Sequence, residues 1–454
     1  MSSYTVINPT TALPVKEIEL ADLIKTDAAI AKAQKAFETW RLVTPGDRAK
    51  LLRKFAAVVD SYIEELAQLE VLNAGHTIGN ARWEAGNVRD VLNYYSAAPE
   101  RLFGRQIPVP NGIDITFKEP LGVIGIIVPW NFPMPIAGWG FGPALAAGNT
   151  VVLKPAELTP MTAIRLGELA LEAGIPDGVF NVIPGKGSIV GERFVTNPTV
   201  RKVVFTGSTT IGKQIMRGCA DQVKRVTLEL GGKSANIIFE DSDIEKAAAG
   251  APGAVFDNAG QDCCARSRIL VQASVYEKFM EKFEVAVKKF RVEDPALDTA
   301  EMGPLVSAGH LARVSEFVPD GTPIAFQGTK PSGPGYWFAP TVLTPKDSND
   351  RAYREEIFGP VVSVLRFQDE ADAIRIANDS EYGLSGSIWS RDIGRAVRVS
   401  RGVEAGNLSV NSNSSVRYWT PFGGYKQSGL GRELGPDALD SFTETKNVFF
   451  DTQS

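Results

Sequence analysis

Two adjacent cysteines, Cys263 and Cys264, carry the most informative chemistry in the sequence, because the chain holds only three cysteines among 454 residues. They follow Gly260, Gln261 and Asp262. A thiolate is among the few side chains that can attack an unactivated carbonyl carbon without a metal. If one of these thiols is a nucleophile, the chain must also supply an oxyanion donor, a base and a partner for the covalent intermediate.

An asparagine and a glutamate lie where an oxyanion donor and a base could be expected. Asn131 belongs to a Trp-Asn-Phe-Pro segment within residues 120–153, which contain no charged residue. A buried amide must form hydrogen bonds or cost about 1–3 kcal/mol, and its N–H can serve a substrate oxyanion. Glu229 lies in an apolar strand before two glycines, and burial there raises a carboxyl pKa toward that of a competent base. Read alone, a loop-stabilising Asn131 and a Glu229 paired with a basic side chain explain the pattern about as well.

Two strand-to-helix junctions could bind a nucleotide. Residues 203–213 run from an apolar strand through Gly207 and Ser208 into a helix, whose N-terminus offers free N–H groups to a phosphate. The stretch matches neither the G-x-G-x-x-G fingerprint nor the last position of the P-loop pattern. Lys154 and Glu157 follow another strand, at the end where open α/β sheets bind ligands, and could grip ribose hydroxyls. A tight turn and a solvated ion pair are the alternative explanations.

The overall composition excludes several classes of function. A net charge of −5 and a pI near 5.5 provide no basic surface for nucleic acid or for an anionic membrane. Three cysteines cannot build a disulfide framework, and the N-terminus lacks the basic and apolar regions of a signal peptide, so we expect a reducing, cytoplasmic location. Two histidines without ligand spacing disfavour a metal site and a Cys-His or Ser-His centre.

The uncharged segment of residues 120–153 is long enough to cross a bilayer. It contains Pro129, Pro133, Pro135 and Pro143, however, and each proline would remove a backbone hydrogen bond from a lipid-facing helix. We therefore expect a buried strand, a tight loop and a buried helix instead of a membrane span.

The order of apolar segments predicts an α/β protein with two doubly wound parallel sheets. Residues before about 100 read as helices, one capped by Asp27 and a longer one by Asp47. Short apolar strands then alternate with helices, as parallel sheets require. Predicted strands lie at 123–128, 150–154, 179–183, 202–205, 225–230, 235–239, 269–271, 361–367 and 408–411, and predicted helices at 161–173, 210–220 and 371–377. Residues 113–118 alternate like an exposed strand, and 446–450 look like a late strand that pairs with an earlier one or with another subunit.

The motifs follow one another in a distinctive order. Trp-Asn-Phe-Pro, Lys-Pro-Ala-Glu, Phe-Thr-Gly-Ser, Leu-Glu-Leu-Gly-Gly-Lys and Gly-Gln-x-Cys are followed by Glu-Glu-Ile-Phe-Gly-Pro (355–360) and Pro-Phe-Gly-Gly (421–424). This series closely resembles the NAD(P)-dependent aldehyde dehydrogenase superfamily over nearly the whole chain. Glu229 resembles the base of the hydrolytic branch, since the CoA-acylating branch has no glutamate there.

The resemblance assigns roles to individual residues. It implies that Cys263, not Cys264, is the nucleophile, that Asn131 is the oxyanion amide and that Glu229 is the general base. Glu433 resembles a second carboxylate behind that base. The residues that the resemblance places around the cofactor are Trp130, Lys154, Glu157, Gly187, Gly207, Ser208, Ile211, Glu356 and Phe358.

The resemblance also implies the reaction and the cofactor. The thiolate adds to the aldehyde, hydride leaves for the nicotinamide, and water activated by Glu229 hydrolyses the thioester. A carboxylate at Glu157 suits free ribose hydroxyls and repels a 2′-phosphate, at a cost on the order of 4 kcal/mol for charges about 4 Å apart. We therefore expect NAD in preference to NADP. The alternatives are a cysteine esterase or hydrolase without redox chemistry, and a semialdehyde or aminoaldehyde dehydrogenase that uses NADP.

The substrate is the open question at this stage. Side chains at or near the family's tunnel positions are Phe132, Trp139, Asp262, Trp419 and Phe422, which implies an apolar tunnel for a small aldehyde. An Asp262 that faces the tunnel favours an aminoaldehyde, whereas an Arg417 that faces it favours a semialdehyde with a carboxylate. Both charges can equally turn to solvent or to each other.

The resemblance implies a division into domains and an oligomer. Residues 1–98 and 120–231 are expected to form the NAD-binding domain and residues 232–440 the catalytic domain. Residues 99–119 and 441–454 would form a β-element that joins subunits into a homodimer or homotetramer.

Overall fold

The computed structural model describes residues 2–345, 349–414 and 416–453. Its helices are, in chain order, Leu23–Trp40 (α1), Pro45–Ser61 (α2), Ile63–Ala74 (α3), Ile78–Ser96 (α4), Pro133–Ala146 (α5), Met161–Glu172 (α6), Glu192–Thr196 (α7), Thr209–Ala220 (α8), Ile244–Phe256 (α9), Tyr276–Lys289 (α10), Ala308–Ser315 (α11), Arg351–Arg354 (α12), Glu370–Asn378 (α13) and Ile393–Gly402 (α14).

The strands are, in the same order, Ser2–Asn8 (β1), Leu13–Leu20 (β2), Gln106–Val109 (β3), Gly112–Pro120 (β4), Val123–Ile127 (β5), Thr150–Lys154 (β6), Phe180–Val182 (β7), Val200–Thr206 (β8), Arg225–Glu229 (β9), Ala235–Ile238 (β10), Arg268–Gln272 (β11), Ile324–Gln327 (β12), Thr341–Leu343 (β13), Val361–Phe367 (β14), Tyr382–Gly383 (β15), Ser385–Trp389 (β16), Asn407–Val410 (β17), Tyr425–Lys426 (β18), Gly429–Leu430 (β19) and Thr443–Asp451 (β20).

The first large sheet carries the strand ends that surround the site. Its order is β19-β9-β8-β5-β6-β7, and every pair is parallel except the antiparallel β19–β9 pair. Every residue of β5 and β6 is buried, because helices cover both faces of a parallel sheet. Strand β19 lies within residues 232–440, which were expected to form the catalytic domain. The chain therefore returns to the first sheet near its C-terminal end.

The second large sheet has the order β12-β13-β14-β11-β10-β16-β17 and is parallel except at the β12–β13 edge. Two parallel-sheet units therefore confirm the predicted α/β fold class. The predicted strands at 123–128, 150–154, 202–205 and 361–367 correspond to β5, β6, β8 and β14.

The uncharged segment contains a buried helix. Residues 133–146 of the uncharged segment form α5, and every residue of this helix is buried inside the protein. Within the described ranges, none of the helices combines the length and the apolar character that crossing a membrane requires.

The first twenty residues were predicted wrongly. They form an antiparallel hairpin of β1 and β2, not a helix. Only Val6, Ile18 and Leu20 of these strands are buried, so the hairpin has almost no alternating apolar pattern that a sequence reading could detect.

Both predicted helix caps were also wrong by a few residues. Helix α1 begins after Asp22, whose side chain accepts a hydrogen bond from the Lys25 N–H, while Asp27 lies inside the helix and binds Arg193 at 2.6 Å. Helix α2 is capped by Thr44, whose hydroxyl accepts a hydrogen bond from the Asp47 N–H and donates one to the Asp47 carboxylate. Asp47 is therefore the third residue of the helix and not its cap. The first buried apolar residues, Ile30 in α1 and Ala49 in α2, lie several residues after the observed caps, which moved the predicted caps toward them.

A third sheet, in the order β20-β4-β3, is antiparallel. Its long pairing runs from Thr443–Pro120 to Asp451–Gly112, as expected for a late strand that meets an earlier exposed one. Among the described residues, β20 has no strand on its other side.

Candidate active site

Three cavities that share lining residues extend from the first sheet to the cysteine loop. The large cavity, of about 940 Å³, runs along the carboxyl ends of β5, β6 and β8. The middle cavity, of about 190 Å³, shares Trp130, Gly207 and Ser208 with it. The acidic cavity, of about 310 Å³, shares Glu229 and Cys263 with the middle cavity. The three cavities therefore form one continuous path from the first sheet to the thiol.

The large cavity gathers the side chains that follow β6. Lys154 ends this strand, and its ammonium donates to the Pro155 carbonyl at 2.7 Å. Burial lowers the pKa of Lys154 to about 8, while the nearby charge of Glu157 acts in the opposite direction. Glu157 accepts a hydrogen bond from the Gly187 N–H at 3.2 Å. Gly187 and Ile211 also line this cavity, so the structure brings these predicted cofactor residues together.

The turn between β8 and α8 forms another wall of the large cavity. Ser208 is the N-cap of α8, and its hydroxyl accepts a hydrogen bond from the Ile211 N–H. The following N–H groups of the first turn give this end of the helix a partial positive charge. Gly207 precedes the cap and donates its N–H to the Glu229 carbonyl at 3.0 Å. The junction can therefore hold an anion such as a phosphate.

The lining fits a dinucleotide. A volume of about 940 Å³ lies at the upper end of the range of about 300–1,000 Å³ for small-molecule sites. Lys154 is 4% exposed and keeps only a carbonyl partner among the described residues, so a ribose hydroxyl in the cavity would satisfy its remaining N–H groups. Lys154 and Glu157 would hold a ribose, and the N-terminus of α8 would hold phosphate.

Aromatic rings and a carboxyl group close the middle cavity. The ring of Trp130 meets the ring of Phe358 edge-on at 5.3 Å and that of His310 at 5.0 Å. His310 binds the Phe358 carbonyl at 2.7 Å, and burial lowers the pKa of His310 to about 4, so this ring is neutral. Glu356 accepts a hydrogen bond from the Gly232 N–H at 2.7 Å, and burial raises its pKa to about 7.

A close backbone contact explains the second of the paired glycines. A Cβ atom on Gly232 would lie 2.3 Å from the Cys263 carbonyl oxygen, far inside van der Waals contact. The same residue donates its N–H to Glu356. Gly232 thus lets the chain that follows β9 lie against the cysteine loop while it orients a carboxyl group of the middle cavity.

The cysteine loop is held in an uncommon backbone conformation. Asn258 and Ala259 have φ values of 49° and 55°, which cost on the order of 1–3 kcal/mol each for residues other than glycine. Hydrogen bonds stabilise the loop: Gln261 donates its Nε2–H to the Asn258 carbonyl at 2.9 Å and accepts the Val306 N–H at 2.9 Å. This bracing places Cys263 in the walls of two cavities.

The two cysteines differ in their access to the cavities. Cys263 is half-buried and lines both the middle and the acidic cavity, whereas Cys264 is buried and lines only the acidic one. A hydrogen bond with Cys264, burial and the charges of Asp262 and Glu356 raise the pKa of the Cys263 thiol well above its usual value. Cys263 is therefore a thiol at rest and needs a base before it can attack.

Asn131 points its amide at the cysteine loop. Its Nδ2 donates to the Gln261 main-chain carbonyl at 3.0 Å, and the main-chain carbonyl of Asn131 accepts a hydrogen bond from Asn258 Nδ2 at 2.9 Å. An amide nitrogen carries two hydrogens, so one N–H fixes the side chain and the other can serve an oxyanion formed at Cys263.

Glu229 ends β9 and is buried, with no hydrogen-bond partner among the described residues for either carboxyl oxygen. Burial and the charge of Glu433 raise its pKa well above the usual value. Glu433 is also buried, and neither of its carboxyl oxygens has a hydrogen-bond partner among the described residues. Burial raises the pKa of Glu433 to about 7, and the charge of Lys202 acts against that increase. Both carboxyl groups line the acidic cavity.

The acidic cavity contains most of the predicted tunnel residues. Phe132, Trp139, Asp262 and Phe422 line it, while Trp419 does not and is half exposed. Arg417 is not among the lining side chains either, although Val416 beside it is. Ser415, two residues before Arg417, lies outside the described residues.

Sequence reasoning missed three residues of the site. Asp257 lines the acidic cavity and accepts from Asn80 Nδ2 at 2.5 Å. His310 lines the middle cavity and packs edge-on against Trp130, and His76 contacts the ring of Phe132 at 5.6 Å between centroids. The only signal for Asp257 was its place six residues before the first of the paired cysteines.

The described residues include two groups that bring three metal-ligating atoms within 4.8 Å of one another. They are Asp262 with Cys263 and Cys264, and Glu70 with His76 and Glu84. The sequence showed no ligand spacing because the second group joins residues of two helices and the loop between them.

A thiol beside a dinucleotide-sized cavity in a two-sheet α/β fold defines a class of oxidoreductase, and comparisons with known proteins identify the family. The profile of the aldehyde dehydrogenase family matches residues 1–448. The chain therefore belongs to the aldehyde dehydrogenase family.

Individual relatives agree with this result. An aldehyde dehydrogenase of Emericella nidulans is 41% identical over 455 residues, covering 99% of this chain and 92% of that protein. A cytosolic 10-formyltetrahydrofolate dehydrogenase of Xenopus laevis is 40% identical over 98% of this chain, which spans only 51% of that longer protein. The crystal structure of betaine aldehyde dehydrogenase from Staphylococcus aureus in complex with NAD+ is 38% identical and superposes with a TM-score of 0.97, covering 100% of this chain and 92% of that one.

Proposed function

We propose that the chain oxidises an aldehyde to a carboxylic acid with NAD as the hydride acceptor and Cys263 as the nucleophile. The observation that carries this proposal is the position of Cys263 and Glu229 in the walls of both the middle and the acidic cavity. A substrate in the acidic cavity and a cofactor that reaches the middle cavity would meet at this thiol.

The residues of the site support each step. Glu229, in its ionised form, takes the proton of the Cys263 thiol, and the sulfur forms a bond to the aldehyde carbon. The free N–H of the Asn131 side chain stabilises the oxyanion that results. The nicotinamide supplies a hydride acceptor. Departure of the hydride from the former aldehyde carbon to that acceptor leaves a thioester on Cys263, and Glu229 releases the thiol proton to solvent. Water then attacks the thioester, Glu229 takes the water proton, and the C–S bond breaks to release the acid and return the thiolate of Cys263.

The cofactor preference rests on Glu157. Its carboxylate faces the large cavity beside Lys154, where it suits two free ribose hydroxyls and repels a 2′-phosphate. The structural relative from Staphylococcus aureus was crystallised with NAD+, in agreement with this preference.

We further propose that the substrate carries a positively charged ammonium group. Four carboxyl groups line the acidic cavity, and its described lining includes neither lysine nor arginine. Asp262 and Asp257 lie there with pKa values raised by burial, which a cationic ligand would offset. Aromatic rings in the same wall, Phe132 and Trp139 among them, can add cation–π attraction.

The charge of Asp262 links recognition to reactivity. Asp262 accepts the Cys264 N–H at 2.8 Å, and its charge raises the pKa of Cys263. An ammonium group bound at Asp262 would cancel that effect and make the thiol easier to ionise. A structural relative is named betaine aldehyde dehydrogenase, and betaine aldehyde carries a quaternary ammonium group.

The experiment uses three aldehydes of equal chain length that end in an ammonium, a methyl or a carboxylate group. An absorbance of reduced nicotinamide that increases only when aldehyde is present supports the dehydrogenase. Ester hydrolysis with no such increase supports the hydrolase alternative. We expect kcat/KM to be highest for the ammonium aldehyde. Asp262→Asn should lower its advantage over the neutral aldehyde about tenfold, or ~1.4 kcal/mol. Arg417→Ala is the matched control and should leave the ratio unchanged.

We propose that the β20-β4-β3 sheet joins subunits into a homodimer or homotetramer. The outer edge of β20 is long, and Phe449 and Phe450 on it are about half exposed. Such an edge favours pairing with another chain. We propose that the two domains follow the two large sheets. Among the described residues, 429–430 form the one strand from the interval 232–440 that joins the first large sheet.

A cytoplasmic location also belongs to the proposal. Cys219, Cys263 and Cys264 are all free thiols, and a catalytic thiol beside a second cysteine survives best in a reducing compartment.

A further inference from the structure

A buried arginine contacts the loop that carries the nucleophile. Arg266 follows Cys264 by two residues and is 2% exposed. Its guanidinium donates from Nη1 to the Cys264 main-chain carbonyl, from Nη2 to the Asn413 main-chain carbonyl at 3.2 Å and from Nε to the Ser387 hydroxyl at 2.8 Å. Burial of a guanidinium is costly unless hydrogen bonds satisfy its N–H groups. These bonds offset that cost, and they connect three separate parts of the chain.

Two serine hydroxyls extend one of these contacts. Ser387 of β16 and Ser409 of β17 are paired residues of neighbouring strands, and their Oγ atoms lie 3.3 Å apart. The Ser409 hydroxyl donates to the Ser412 main-chain carbonyl at 2.6 Å. A hydroxyl has one hydrogen, so Ser409 cannot also donate to Ser387. The hydrogen bonds therefore run in one direction, from the guanidinium through both hydroxyls to Ser412, and bonds in such a chain strengthen one another.

The partners of Arg266 adjoin the acidic cavity. Arg266 holds Ser412 through the two hydroxyls and Asn413 directly. This segment comes just before Val416, which lines the acidic cavity. The same guanidinium holds the carbonyl of Cys264, another residue of that wall. Arg266 itself is not among the described side chains that line the three cavities, so it acts on the wall from outside.

We propose that Arg266 is a positioning residue, which fixes the Val416 part of the acidic cavity relative to the nucleophile Cys263. This inference rests on the proposed function, because the wall concerned is that of the aldehyde site. The planar fork of a guanidinium reaches several acceptors in fixed directions, whereas the single nitrogen of a lysine carries the same charge without that span. The span of the side chain, and not its charge, is therefore the property that the site uses.

The first test replaces Arg266 in the full-length protein. Arg266→Met should lower kcat/KM for the aldehyde about 100-fold, the loss that a displacement of about 1 Å can cause, and Arg266→Lys should lose as much. The KM for NAD should stay unchanged, because the three partners of the guanidinium lie outside the wall of the large cavity. Arg268→Lys is the matched control, since Arg268 is also buried and donates to the carbonyls of Lys233, Ile376 and Ala377. It should lower the melting temperature and leave the KM for the aldehyde unchanged.

The second test leaves the buried charge in place. Ser409→Ala removes the last hydroxyl of the chain, and the KM for the aldehyde should rise about fivefold, as expected for the loss of one hydrogen bond. Because Ser409 acts together with Arg266, the double variant of Arg266→Met and Ser409→Ala should have a kcat/KM no lower than that of Arg266→Met alone, whereas independent losses would multiply. Ser242→Ala is the control, because it removes a similarly buried hydroxyl that donates to the Phe239 carbonyl. It should leave the KM for the aldehyde unchanged.

Three results would overturn the inference while leaving the proposed dehydrogenase intact. They are a wild-type kcat/KM in Arg266→Lys, an unchanged KM for the aldehyde in Ser409→Ala, and losses that multiply in the double variant. If the variants of Arg266 fail to fold, the comparison of Ser409→Ala with Ser242→Ala decides. Absence of aldehyde oxidation in the wild type would instead refute the proposed function, and the inference with it.

Discussion

The carboxyl groups of Glu229 and Glu433 lie buried in one cavity, and the charge of Glu433 raises the pKa of Glu229. Neither group has a hydrogen-bond partner among the described residues. A base with a raised pKa is protonated over more of the acidic range, so the turnover of the enzyme should increase as pH rises through the ionisation of Glu229.

Replacement of Glu433 tests this coupling. Glu433→Gln removes a negative charge that disfavours ionised Glu229, so the pKa of Glu229 should fall and the acidic limb of kcat should move to lower pH. Rates measured from pH 5 to 9 would show the shift. Glu38→Gln, an exposed carboxyl on α1, should leave the limb in place. A limb that moves to higher pH would contradict the coupling.

Removal of the Asn131 amide should slow the enzyme without abolishing its activity. Asn131→Ala deletes one oxyanion donor, and such losses cost about 100- to 1,000-fold in kcat. The measurement is steady-state oxidation of the best aldehyde. Asn258→Ala offers a comparison, since Asn258 braces the same loop without facing the oxyanion. Full activity in Asn131→Ala would exclude this residue as the donor.

The cofactor preference should depend on Glu157. The wild-type enzyme should use NAD with a higher kcat/KM than NADP, and Glu157→Gln should reduce that preference at least about tenfold, a fraction of the ~4 kcal/mol charge repulsion that it removes. Paired kinetics with both cofactors measure the ratio. Glu192→Gln, a second carboxylate in the wall of the same cavity, serves as the control. Equal efficiency of the wild type with both cofactors would contradict the role of Glu157.

The edge of β20 should control assembly. Light scattering of the wild-type protein should give two or four times the chain mass of 49.0 kDa. Phe450→Glu places a charge on the exposed edge and should shift the mass toward that of a single chain. A wild-type protein that elutes as a monomer would refute the pairing of this sheet between subunits.

The parts of the fold that the sequence predicted well are those with strong local patterns. Continuous apolar runs identified β5 and β6 because both strands are buried on both faces. The hairpin of β1 and β2 escaped detection because most of its side chains are exposed. The spacing of apolar residues reflects which side chains are buried, so a strand with few buried side chains shows no detectable apolar pattern.

The site shows the same division between local and distant signals. Cys263, Asn131 and Glu229 were predicted from ordered motifs, and Cys263 and Glu229 both line the middle and the acidic cavity. His310 had no assigned role, because its place in the middle cavity depends on contacts with the rings of Trp130 and Phe358. Contacts between separate elements have no local sequence signature, and only the folded chain shows them.

The central claim is that Cys263 forms the thioester. Glu229→Gln should remove the base for hydrolysis, so rapid mixing with aldehyde at high pH should give at most one equivalent of reduced nicotinamide per site. Mass spectrometry of the quenched protein should then find the acyl group on Cys263, and Cys264→Ala should leave this result unchanged. An acyl group on Cys264, or reduced nicotinamide formed by Cys263→Ala, would contradict the account.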